Sequence, residues 1–211
     1  MHNKRAQPVI EVVQQGGFNP LKTINKFGRL FSRETVRRIK AGEERFVDGV
    51  ISIKKKITAV GNFRFIDSNT DELVGISDWN KKQLPNGQTM IVKGIKMGYA
   101  STSNSTDTEV RRKYSSLQTN VPDAILTARL SIRQFEKEYA NLPVAFLFSE
   151  AISNRLNGED ENVYNFRNSF VIMKDKDVEM VLLDSAGLPL DNSMLAHFLS
   201  LDLIGDISIF S

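Results

Sequence analysis

Seven cations fall within a short stretch near the start of the sequence: Lys22, Lys26, Arg29, Arg33, Arg37, Arg38 and Lys40. Six of them, omitting Arg38, follow at intervals of 4, 3, 4, 4 and 3, a spacing that lines side chains along one face of a helix. Clustered cations neutralise phosphates along a nucleic-acid backbone, a chemistry that needs charge density and no base-reading geometry. Ile24, Phe27 and Phe31 form the opposite strip, and Phe18, Phe27, Leu30 and Phe31 supply an apolar edge beside the cations. That edge also suits an anionic lipid surface. A solvated face, docked on the rest of the chain or on a neighbouring subunit, accounts for the same spacing with no anionic partner. The spacing leaves all three open.

Other chemistries find less support. Gly16-Gly17-Phe18-Asn19-Pro20-Leu21-Lys22-Thr23 departs from the phosphate-binding loop pattern in having Leu21 where the second glycine belongs. Met180 to Asp184 resembles the apolar run that ends in a magnesium-orienting carboxylate. Leu21 adds a side chain and Pro20 removes a donor where the loop must aim backbone N–H groups, and no alternation of strands with long helices is evident. The chain has no cysteine, and its two histidines, His2 and His197, lie far apart, so neither a thiolate site nor a histidine-based triad is expected. Asp175 with Asp177, and Glu159 to Glu161, lack the ligand alternation and glycine of a calcium loop. No catalytic residue, metal site or cofactor is assigned.

The elements that would carry the cations are short. Asn19 suits an N-cap with Pro20 at the first helical position; Gly28 and Ser32 argue for two helices, 20–31 and 33–41, and Gly42 ends the second. Residues 1 to 56 hold 13 Lys and Arg against 5 Asp and Glu, while the remainder holds 15 against 20. A basic segment therefore precedes an acidic body, an asymmetry that points to an anionic partner for the first segment.

The body reads as strands. Ile51, Ile53, Ile57, Phe63 and Phe65 alternate with polar residues, and Leu199, Leu201, Leu203, Ile207 and Ile209 do so at the other end. Both are half-buried strand patterns, over Gly49–Asp67 and Phe198–Phe210. Met90–Tyr99 is a further strand whose Gly94 and Gly98 suggest bulges or close backbone approach, and 101–120 reads as an exposed loop. Trp79 is expected to cap the core edge. Both strand and helix templates fit 122–142; the flanking strands favour a strand over 125–134, a turn near Glu136-Lys137 and a return to Pro143. Val144–Leu156 reads as a short helix, 163–173 and 178–184 as strands of a hairpin with its tip at 174–177, and Ser193–His197 as a helical connection. The organisation expected is a basic, partly helical N-terminal arm over 1–45 and a mainly β, antiparallel β-sandwich domain over 46–211.

This order, a basic arm, a long first strand, polar loops between strands and a long last strand, resembles the single jelly-roll capsid proteins of icosahedral viruses and tailless phages. The likeness covers about residues 45 to 211 as a strand pattern, and the arm as a charge pattern. The resemblance implies a jelly-roll-like sandwich with first and last strands side by side. It also implies a non-enzymatic structural role in the virion: a subunit made in the host cytoplasm that forms a symmetric homo-oligomer or joins other shell proteins, with no small-molecule substrate. Lys22, Lys26, Arg29, Arg33, Arg37, Arg38 and Lys40 would then face nucleic acid or anionic lipid. Two other readings are a β-sandwich module for glycans or a host surface, using Trp79, Tyr99 and Tyr114, and a single-strand nucleic-acid binder in which Phe18, Phe27 and Phe31 stack on bases.

Overall fold

The computed structural model describes residues 19–57, 62–108, 112–148, 163–184, 190 and 195–210. The chain divides into two compact units, Phe46–Ile209 and Met1–Arg45 with Phe210–Ser211. The larger is mainly β. Among the described residues its strands are β1 (Glu44–Lys56), β2 (Phe63–Arg64), β3 (Met90–Thr102), β4 (Arg129–Gln134), β5 (Lys137–Pro143), β6 (Tyr164–Ile172), β7 (Val178–Leu183) and β8 (Ala196–Phe210). They form two four-stranded sheets, in the orders β1-β8-β3-β6 and β2-β7-β4-β5. The pairings nest: first with last, second with seventh, third with sixth, fourth with fifth. The inner faces share one core that includes Ile51, Phe65, Trp79, Met97, Leu130 and Leu201.

Several expectations are corrected here. The alternation across 49–67 spans two strands in different sheets, yet Ile51, Ile53, Ile57, Phe63 and Phe65 are all buried because both strands turn that face to the same core. β6 and β7 are not a hairpin: β6 pairs with β3 while β7 pairs with β2 and β4, so 174–177 is a corner between sheets. Buried Gln134 holds that corner, donating from Nε2 to the carbonyls of Met173 (3.0 Å) and Lys176 (3.1 Å) and accepting from the Met173 N–H (3.0 Å). His197 lies within β8, opposite Ser101, not at the end of a helix, because the β3–β8 ladder continues to Thr102↔Ala196; Ser193 is outside the described residues. Part of 101–120 is bound rather than looped out: Tyr99 and Ser115 exchange two backbone hydrogen bonds of 2.8 Å.

In 122–142 both templates hold in part. A helical turn α3 (Asp123–Leu126) buries Ile125, and β4 begins at Arg129, later than the expected 125, before the turn to β5. Val144–Leu147 is a 3-10 turn, and 149–156 of the expected helix lies outside the described residues. Trp79 is fully buried in the core.

The long ladder explains the glycine pattern. The register shifts between Val92 and Gly94, so β3 turns Met90 and Val92 inward and then Ile95, Met97 and Tyr99, while β8 keeps its period of two. At that bulge the chains approach closely, and a Cβ on Gly205 would collide with the Ile91 carbonyl. Gly205→Ala should therefore destabilise the fold by about 2 kcal/mol, the usual scale of overpacking, read from chemical denaturation. A second expectation concerns pH. Lys55 Nζ donates to Asp67 Oδ2 at 2.6 Å, and chiefly this hydrogen bond holds the Asp67 carboxyl below its usual range. A carboxyl lowered in the folded state stabilises above its unfolded pKa of about 3.9, and the contribution is lost as pH falls through the folded value. Asp67→Asn should lower the melting temperature at pH 7 and leave a smaller further loss between pH 4 and pH 2 than in the parent chain.

Candidate polyanion-binding surface

Two helices carry the cations. α1 (Pro20–Phe27) starts at Asn19, whose side chain accepts from the Lys22 N–H at 3.0 Å, with Pro20 where its missing donor costs nothing. α2 (Arg33–Ala41) starts at Ser32, which accepts from the Thr35 N–H at 3.0 Å. It ends at Gly42 in the left-handed region (φ 76°), whose N–H meets the Arg38 and Ile39 carbonyls. The first helix closes at Gly28, so α1 is shorter than the 20–31 expected.

The single six-cation stripe of a continuous helix is accordingly divided. Lys22 and Lys26 stand one turn apart on α1, Arg29 lies in the connection, and Arg33, Arg37 and Lys40 share one face of α2 at i, i+4 and i+7. All six are exposed, while Thr35 and Ile39 of α2 are buried. Arg37 reaches Glu43 at 3.9 Å between exposed side chains, a contact of little energetic weight.

Arg38 differs from the other six. Its side chain is only 18% exposed, its Nε lies 3.2 Å from Glu44 Oε2, another nitrogen lies 3.4 Å from Glu34, and its guanidinium stacks over the Phe210 ring at 5.1 Å. Glu44 is completely buried. Arg38 is thus neutralised and tied to the start of β1 and the end of β8, whereas its six neighbours present their charge to solvent. Spacing had no means of finding Glu44, which comes back to α2 only because Gly42 reverses the chain.

The apolar edge is also different. Phe27 and Phe31 are buried, with Lys26 Nζ 5.0 Å from the Phe27 ring centre; Leu21 and Leu30 are the exposed apolar residues of this stretch, and Phe18 lies outside the described residues. Neither phenylalanine is free to stack on a base or enter lipid. The surface is one of cations.

The remaining candidates are separated. Trp79 is in the core and cannot share a ligand face with Tyr99 and Tyr114. Tyr99 is itself buried, with Oη 2.6 Å from His197 Nδ1, and Tyr114 is half-buried with Lys54 Nζ 5.9 Å from its ring centre. Residues 19–23 of the glycine-led motif are helix cap and first turn, and Gly16 and Gly17 lie outside the described residues. β7, which precedes Asp184, is antiparallel to both neighbours, so the parallel sheet of a phosphate-binding loop is missing around it. Among the described residues no cluster of three or more metal-ligating side chains occurs, and no helix is long and apolar enough to cross a membrane. No protein-family profile, curated protein sequence or solved structure matches this chain.

The Arg38–Glu44 pair makes a prediction. Removing one partner of a buried ion pair leaves the other charge uncompensated, at about 3 kcal/mol. Glu44→Ala should sharply reduce hydrogen-exchange protection of the 33–41 amides, while Glu34→Ala, which removes an exposed partner, should cost less than about 1 kcal/mol by the same measure.

Proposed function

We propose that this protein is a structural virion protein, a jelly-roll capsid or capsid-associated subunit, whose two basic helices meet a polyanion. The strand order carries the reading: nested pairs β1/β8, β3/β6 in one sheet and β2/β7, β4/β5 in the other are the connectivity expected of two wound Greek keys. The step from such a fold to a shell is an analogy, since β-sandwiches serve many roles. The charge pattern narrows it. Six exposed cations stand on α1, α2 and their connection, against an acidic remainder of the sequence.

The burial of Phe27 and Phe31 favours nucleic acid over lipid as that polyanion. An interfacial helix needs an apolar face to enter the headgroup boundary, and only Leu21 and Leu30 remain exposed for it. Phosphate neutralisation needs the cations alone. The subunit would assemble symmetrically with itself or with other shell proteins, after synthesis in the host cytoplasm.

Light scattering of the full chain at low and moderate salt, with and without single-stranded DNA, tests the shell: large, regular assemblies are expected, and a monomer under every condition would count against self-assembly. Six phosphate contacts predict a slope of log K against log salt of about −4 for single strands, falling to about −2 in Arg33→Glu/Arg37→Glu/Lys40→Glu. Unchanged binding in that variant would remove the arm from the mechanism. Tighter binding to anionic liposomes than to DNA would replace nucleic acid by lipid.

A further inference from the structure

Among the described residues β3 pairs with β6 as far as Ile95↔Tyr164, and farther along β3 Ser115 makes two backbone bonds to Tyr99. Described residues of the intervening excursion are pinned. Lys56 Nζ donates to the carbonyls of Ser105 (2.9 Å) and Asp107 (2.7 Å), Arg112 pairs with Asp107, and its guanidinium lies 5.4 Å from the Phe198 ring centre. On the return, Asn120 Nδ2 donates to Ser115 Oγ at 2.9 Å. These contacts frame a cleft of about 550 Å³ lined by Tyr99, Ser101, Arg112, Lys113, Ser115 and Asn120, with Ala100. The volume is that of a small-molecule site.

Its chemistry is one-sided. Two cations, three hydroxyls and an amide line it, and among the described residues no carboxylate does. Asp107 is engaged by Arg112. Lys113 is exposed and makes no hydrogen bond or ion pair with the described residues. Beneath, burial raises the Tyr99 phenol, opposed by a hydrogen bond from Ser101, and Tyr99 Oη meets His197 Nδ1 at 2.6 Å, so the floor is a buried, hydrogen-bonded polar layer. Such a floor holds the lining side chains in place, as a specific polar site requires.

We propose that this cleft binds a small oxyanion-bearing ligand, a sulfate or carboxylate carried on a sugar, independently of the basic helices. Lys113 and Arg112 face the oxyanion; Ser101, Ser115 and Asn120 bond the sugar hydroxyls, which a bare inorganic anion lacks. Amide NMR titration of the full chain with galactose 6-sulfate, N-acetylneuraminic acid, lactose, inorganic sulfate and inorganic phosphate tests this. Saturable shifts confined to the amides near 99–101 and 112–120 are expected with at least one of the two anionic sugars, at least tenfold tighter than with either inorganic anion and absent with lactose. Lys113→Ala should weaken that binding at least tenfold with the rest of the spectrum unchanged, and Arg33→Ala/Arg37→Ala/Lys40→Ala should leave it intact. No saturable shift with either sugar, or shifts undiminished in Lys113→Ala, would overturn the site. Inorganic sulfate or phosphate binding as tightly as the sugars would overturn the sugar assignment, and saturable binding of lactose would overturn the oxyanion requirement.

Discussion

The sandwich depends on the antiparallel ladder between β3 and β8, which runs from Met90↔Ile207 to Thr102↔Ala196. It sets which side chains face the second sheet: Tyr99, Met97 and Ile95 stand opposite Leu199, Leu201 and Leu203, and all six are in the core. A slip of one residue on either strand would turn those apolar side chains outward, so burial fixes register as firmly as the backbone bonds do. The bulge near Lys93 is where the two periodicities are reconciled, and the close approach it forces explains why a side chain is not tolerated at Gly205. β8 also carries β1 on its other side, so the first and last strands close one sheet together.

Connections between the sheets place the rest. The corner 174–177 carries the chain from β6 in one sheet to β7 in the other, and Asp175 takes a positive φ of 54° there. The corner itself is exposed at 175–177, and three hydrogen bonds from one buried amide, Gln134, tie its backbone to the core at Met173 and Lys176. A buried glutamine is costly without partners and specific with them.

Charge is managed differently in the two units. In the body, opposite charges pair across neighbouring strands: Arg64 with Glu179 at 3.6 Å, Arg133 with Glu138 at 3.1 Å, and Lys93 with Asp206 at 2.5 Å. On the helices, cations repeat at one-turn spacing, and Arg38 alone is drawn into a buried pair while the others stand exposed. The same residue type thus serves as anchor or as contact according to whether a carboxylate returns beside it.

Legible in the residues alone were the β character, the faces of the long strands and the caps of both helices. These are local properties: alternation follows from the pleat, and Asn19, Ser32 and Gly42 act on backbone groups within a few residues of themselves. The glycines at 94 and 98 also marked bulge or close approach, and the register shift falls beside Gly94. Which strands are neighbours is set by tertiary folding, because alternation assigns a face and not a partner; hence β6 and β7 resemble a hairpin in sequence and lie in different sheets. Arg38 meets Glu44 through the local reversal at Gly42, a partner that side-chain spacing does not mark, whereas the same tertiary origin holds for Tyr99 and His197 and for the cleft around Ser115. Each depends on chain segments brought together by the shared core, and pairwise proximity of that kind leaves no periodic mark in the sequence.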